Sequence, residues 1–173
     1  MKRYDLTAEI YEERYRGEQK EKYAAALVDV DVLGSRILDA GCGSGLFFEE
    51  VAAHSRTMVG VDISRKLLRK AKKQADAFGN VFVLQADADH LPFADGVFDF
   101  VFSFTVLQNM PKPAETLDEF KRVTNLGGKV VVTGLKRAFS PITFMDFIGG
   151  SGLNLVSFVD SGGLNCYIAV LAT

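Results

Sequence analysis

Along most of this chain, short β-branched or aromatic runs alternate with longer segments of helical period. The runs are "RILDAG" (36–41), "TMVGVD" (57–62), "NVFVLQAD" (80–87), "FDFVFSFT" (98–105) and "KVVVTGL" (129–135). Between or after them lie "GLFFEEVAAHS" (45–55), "SRKLLRKAKKQADAF" (64–78), "PAETLDEFKRVTN" (113–125) and "SPITFMDFIGG" (140–150). In the second of these, Leu67, Leu68, Ala71, Ala75 and Phe78 share one helical face. The third runs into "LGG", a glycine stop signal. Strands separated by helices form a parallel sheet covered on both faces.

Two last runs break the alternation. "LNLVSFV" (153–159) and "LNCYIAVLA" (164–172) are joined only by "DSGG" (160–163), which predicts an antiparallel hairpin. The predicted fold class is α/β: doubly wound and Rossmann-like, with a seven-stranded, mostly parallel sheet, a C-terminal antiparallel hairpin, and helices on both faces.

At 173 residues, 48% hydrophobic and 24% charged, the chain fits a single domain over 1–173, with a helical cap at 1–35 and the core at 36–173. The cap segment "YDLTAEIYEERYRGEQKEKYAAAL" carries Tyr4, Tyr11 and Tyr15 at spacings of seven and four. These rings either dock the helix on the core or help to close a ligand cleft. A formal net charge of -2 gives no general attraction to nucleic acid. Cys42 and Cys166 form no CxxC pair, so neither a metal site nor a disulfide framework is expected, and reduced thiols in the cytoplasm are. No signal-peptide pattern is present. The most apolar run, "VFDFVFSFTVL", falls far short of the roughly 20 residues of a membrane span.

The first strand ends in "DAGCGSG" (39–45), where glycines let a ligand approach the backbone at the carboxyl end of the sheet. Asp62 ends the second strand, where an acidic residue accepts hydrogen bonds from a ribose diol. A dinucleotide is disfavoured. The third position of its G-x-G-x-x-G/A fingerprint would be Leu46 or Phe48, both bulky, and Asp39 would repel a pyrophosphate. A nucleoside cofactor with a cationic end suits Asp39 better, and S-adenosylmethionine has an ammonium, a sulfonium and no phosphate.

"LDAGCGSG", "VGVDIS", "QADADHLPFADGVFDFVFS" and "LGGKVVVTGL", in this order, resemble the successive motifs of class I S-adenosylmethionine-dependent methyltransferases, in particular the broad ubiquinone and menaquinone biosynthesis group. The resemblance covers about residues 36 to 135. It implies that Gly41, Cys42, Gly43 and Gly45, with the backbone near Asp39, hold the methionine part of the cofactor. It implies further that Asp62 takes the ribose hydroxyls, Ile63 packs on adenine, Asp87 accepts from the adenine amino group and the Ala88 amide donates to a ring nitrogen. Asp89 stands open as an alternative to Asp87. Ser103, Phe104 and Thr105 would line the floor near the methyl group, and S-adenosylhomocysteine would be the product.

The acceptor is not written in these motifs. Methyl transfer needs alignment first and a general base only when the acceptor must lose a proton. His54 and His90 read as structural or surface residues; Gln108 and Asn109 either bind an acceptor or end the fourth strand. No "N-P-P-Y"-type motif follows that strand, which lowers the case for methylation of exocyclic adenine or glutamine nitrogens. Arg65, Lys66, Arg69, Lys70 and Lys73 are either a solvated helix face or an RNA-contacting stripe. Few residues are left to build a lid. That favours an open cleft, and with it a macromolecular acceptor or a partner subunit that completes the site. The family resemblance implies the same, since some small relatives act on tRNA or on translation proteins with a small activator subunit. The alternatives are a quinone-like or other small-molecule acceptor, and a non-catalytic cofactor-binding scaffold.

Overall fold

The computed structural model describes residues 16–173, so Tyr4, Tyr11 and Tyr15 lie outside the described residues. A helix runs through residues 16–27 (α1). It is followed by β1 (Arg36–Ala40), α2 (Phe48–Val51), β2 (Thr57–Asp62), α3 (Arg65–Ala75), β3 (Val81–Gln85) and β4 (Phe98–Ser103). Then come α4 (Pro113–Val123), β5 (Thr124–Leu135), α5 (Pro141–Gly149), β6 (Asn154–Val159) and β7 (Cys166–Ala172). The strands form one seven-stranded sheet in the order β3-β2-β1-β4-β5-β7-β6. All neighbours from β3 to β5 are parallel, while β7 is antiparallel to both β5 and β6. The chain winds outward from β1 through β2 to β3, and then outward the other way from β4. The switch point between β1 and β4 is where such sheets open a crevice.

Alternate residues of each central strand enter opposite layers, as a pleated strand requires. Ile37, Phe102 and Val131 pack with Phe48 and Val51 of α2 and Leu68, Ala71 and Ala75 of α3 on one side. Leu38, Val101, Val130 and Val132 pack with Leu117 and Phe120 of α4 and Phe144 and Ile148 of α5 on the other. This two-sided burial is what the uninterrupted apolar runs anticipate.

Several element boundaries differ from the sequence expectation, three of them with a clear local cause. The helix expected over 45–55 shrinks to α2, because Gly45 takes a left-handed conformation (φ 87°) that ends the loop instead of starting a helix. The helix expected to run to Asn125 ends at Val123, and β5 begins at once. Thr124 pairs with Phe98 while Lys129 pairs with Phe100, so residues 125–128 bulge out of the ladder. "LGG" serves that bulge rather than a helix cap, with Gly127 at φ 81°. Thr124 Oγ1 instead donates to the Phe120 carbonyl, and Gly96 N–H to that of Arg122. Finally, the fourth strand stops at Ser103, since Thr105 turns left-handed at φ 63°. The predicted hairpin is present, although β7 inserts between β5 and β6.

Candidate functional site

The loop after β1 is shaped by its glycines. Gly41 (φ 83°) and Gly43 (φ 57°) both occupy conformations that L side chains rarely adopt. A Cβ on Gly41 would stand 2.3 Å from Val106 Cγ2, whereas one on Gly43 would meet no protein atom within 4 Å. One glycine packs the loop against the segment after β4; the other leaves open space for a ligand. The N–H groups of Gly41 and Cys42 both donate to the Val61 carbonyl, fixing the loop to the end of β2. Gly41→Ala is expected to lower stability by about 2–4 kcal/mol through strain and overpacking, read as a fall in the denaturant midpoint. An unchanged midpoint would show that Val106 moves aside freely.

Asp62 ties the two first strands together. Its Oδ2 accepts from Gly43 N–H at 2.9 Å and its Oδ1 from Ser64 N–H at 2.8 Å. Ser64 in turn caps α3 by accepting from Leu67 N–H. Burial raises the Asp62 carboxyl above its ordinary range, against the lowering effect of the N–H donors of Ser64, Gly43 and Ile63. Each of its oxygens keeps further acceptor capacity.

Asp39 is buried more completely, at 2% exposure, and no group among the described residues hydrogen-bonds its carboxyl. Burial first, and the nearby charge of Asp62 second, push it up to about 8. Ser44 Oγ beside it is also buried without a partner. Both line a narrow cleft whose other walls are Gly41–Gly43, Leu46, Phe104, and Gln19 and Tyr23 of α1. The Tyr23 ring lies 4.9 Å from that of Phe47 and 4.8 Å from that of Phe104. This aromatic cluster holds α1 over the cleft, each such pair adding about 0.5–1.5 kcal/mol beyond its area.

The remaining expected residues are distributed along the same edge. Cys42 lines the cleft wall, and its thiol is pushed well up by burial. Ile63 is 55% exposed just beyond Asp62. Asp87 is exposed where β3 ends, accepting from Asp89 N–H, and Ala88 is partly buried beside it. The Asp89 carboxylate is instead engaged by the Thr116 hydroxyl. Ser103 Oγ donates to the Ala40 carbonyl, so it braces β1 against β4. Both amide atoms of Gln108 are buried without partners, while Asn109 donates to the Thr105 carbonyl. His54 and His90 are exposed. On α3, Arg65 bonds Gln85 and Lys72 pairs with Asp76.

The sequence reading missed Gln19, Lys22 and Tyr23. A signal was available: positions 19, 22, 23 and 26 fall on one helical face that also holds the fully buried Ala26, so polar side chains there face inward.

The segment that carries the glycine loop, Asp39 and Asp62 matches a known family. The methyltransferase domain family matches residues 38–132. The chain belongs to that family, of the class I S-adenosylmethionine-dependent type. Among curated relatives, demethylmenaquinone methyltransferase of Staphylococcus saprophyticus is 31% identical over 112 residues, covering 63% of this chain and 48% of that protein. Malonyl-[acyl-carrier protein] O-methyltransferase of Hamiltonella defensa is 31% identical over 132 residues, covering 76% of this chain and 50% of that protein. The methyltransferase domain chain thus spans about half the length of these relatives. A chain from the complex between the Haloferax volcanii Trm112 methyltransferase activator and a methyltransferase shares the fold at TM-score 0.81, with 18% identity over 98% of this chain and 96% of that one.

Among the described residues no helix is long and apolar enough to cross a membrane. Nor does any cluster of three or more His, Cys, Asp or Glu suit a metal ion.

Proposed function

We propose that this chain binds S-adenosylmethionine in the cleft beneath α1 and transfers its methyl group to a small acceptor held over the ends of β4 and β5. One observation carries the cofactor assignment: a buried carboxylate, Asp39, lies against an open glycine loop with no hydrogen-bond partner among the described residues. A buried charge without a partner is costly, and a cationic ligand supplies what is missing. When bound, S-adenosylmethionine supplies an activated methyl group on sulfur and leaves as S-adenosylhomocysteine.

The residues present fit that ligand. Asp39, Gly41, Cys42, Gly43 and Gly45 would hold its methionine part, with Ser44 Oγ adding a donor that has no other use. Asp62 would accept from the ribose hydroxyls while keeping its bonds to Gly43 and Ser64, and Ile63 would cover one face of the adenine. Asp87 and the Ala88 amide would read the adenine edge. The engagement of Asp89 by Thr116 supports Asp87 for this role. Phe104, with Tyr23 and Phe47, would exclude water from the methyl group. Residues 1–35 would act as a cap on the single domain core at 36–173.

The placement of α1 supports a small acceptor. Gln19 and Tyr23 close the cleft on the side that an open-cleft, macromolecular reading needs free. A covered site suits a small molecule, and the two curated relatives are named for a quinone and for a carrier-bound malonyl group. A macromolecular acceptor served by an activator subunit is the second reading. It is supported by the edge of β3, which pairs with no further strand among the described residues and where Phe82 is 57% exposed and Leu84 is exposed beside it, a surface suited to strand addition by a partner. The bond from Arg65, the first residue of the basic stripe on α3, to Gln85 weakens the case for RNA contact there. Two free, buried cysteines support a reducing, cytoplasmic setting.

S-adenosylhomocysteine at about a hundred times its dissociation constant is expected to stabilise the protein by about 2.7 kcal/mol, seen as a rise of several degrees in melting temperature. No shift at saturating ligand would contradict the assignment.

A further inference from the structure

Lys22 lies on the inner face of α1 at 1% exposure. Its Nζ donates to Thr105 Oγ1 at 3.2 Å and to Gln19 Oε1 at 3.4 Å, both neutral oxygens. Among the described residues no carboxylate forms an ion pair with it, and only two of its three donors have a partner. Burying a cation in this way costs free energy that a hydrophobic residue of similar volume would not. Packing alone does not account for a lysine here.

The position of this ammonium is informative. Thr105 directly follows the cleft residue Phe104, and it holds a left-handed conformation that strains a β-branched residue by about 1–3 kcal/mol. Its N–H is fixed by Thr133 Oγ1 of β5. Cys166, at the start of β7, feels the charge of Lys22 together with those of Glu18 and Lys136. Lys22 therefore stands over the carboxyl ends of β4 and β5, one step along the sheet from the glycine loop. The protein's two histidines, His54 and His90, are both exposed, so neither is buried at these strand ends as a base for removing an acceptor proton.

We propose that Lys22 is the counter-charge for an anionic acceptor: a carboxylate, or an ionised enol or phenol oxygen, bound jointly by the Lys22 ammonium and Thr105 Oγ1. This rests on the methyl-transfer reading above and names the chemical class of its acceptor. An acceptor held as its anion arrives with its proton already lost, which removes the need for a general base. Between a cationic cofactor on one side and Lys22 on the other, an anion is favoured over a neutral or cationic molecule of the same shape.

The test uses benzoate as the anionic probe and benzamide as its neutral counterpart, titrated into the protein saturated with S-adenosylhomocysteine. Wild type is expected to bind benzoate saturably and more tightly than benzamide. Lys22→Met should lose at least about tenfold in benzoate affinity, the size of one lost charge-assisted hydrogen bond, and Lys22→Arg should retain part of it. S-adenosylhomocysteine affinity should be unchanged in both variants. Lys22→Met should melt no lower than wild type, because it removes an uncompensated buried charge, whereas a purely structural strut would melt lower. Equal binding of benzoate and benzamide by wild type, or undiminished benzoate binding by Lys22→Met, overturns the proposal. A wild-type protein that does not bind S-adenosylhomocysteine overturns the reading beneath it, and the proposal falls with it.

Discussion

Asp62→Ala is expected to weaken S-adenosylhomocysteine binding by about a hundred-fold or more. Hydrogen bonds to a charged group contribute about 1.5–3 kcal/mol each, and the ribose diol can offer two to this carboxylate. The substitution also frees the N–H of Gly43 and that of Ser64, so the glycine loop loses its tether to the start of α3. Loop order and ligand contact are thus lost together. Asp62→Asn separates the two effects, since it keeps an acceptor oxygen for one N–H while removing the charge. Titration calorimetry of wild type and both variants measures them. An Asp62→Ala protein that binds within a few-fold of wild type would mean that the ribose is held elsewhere.

The second large effect concerns pH and Asp39. Its carboxyl is pushed up to about 8 by burial and by the charge of Asp62. From the ordinary carboxylate range up to that value, the folded protein retains a proton that the unfolded chain has lost. Stability therefore falls as pH rises through that window, by at most about 1.4 kcal/mol per pH unit. Asp99 and Glu119 act oppositely. Hydrogen bonds from Arg36 and Arg122 respectively hold their carboxyls below the ordinary range, so their stabilisation is present above their unfolded values and is lost in acid. Their shifts are smaller than that of Asp39, so their contribution is the smaller one.

A cationic ligand favours the ionised form of Asp39. Binding should then release a proton below about pH 8, and affinity should climb with pH by up to about tenfold per unit. Asp39→Asn should flatten both slopes, raise the stability of the free protein at the alkaline end, and weaken cofactor binding. Calorimetry in two buffers of different ionisation enthalpy counts the protons directly. Identical proton release by wild type and Asp39→Asn would remove Asp39 from the account.

How much of this was legible in the sequence follows from the range of the forces involved. The strand runs could be placed because burial on both faces demands uninterrupted apolar residues, and Ile37, Leu38, Val130 and Val131 satisfy that demand locally. The glycine loop and Asp62 could be placed because backbone conformation and strand-end position are local too. The early end of α4 could not. It depends on a bulge in which residues 125–128 accommodate the register of β4, a neighbour distant in sequence. The cover over the cleft was missed for a related reason. Tyr23 contacts Phe47 and Phe104, and Lys22 contacts Thr105, 83 residues away. Such pairings are set by the tertiary fold, and only the inward-facing polar positions 19 and 22 on α1 hint at them.

The assignment of the cofactor is tested most directly by titrating the purified wild-type protein with S-adenosylmethionine, S-adenosylhomocysteine and NAD in the calorimeter. Saturable one-site binding of the first two, and none of the phosphate-bearing dinucleotide, is the predicted result. Binding of NAD, or failure of the folded protein to bind either sulfur nucleoside, would contradict it.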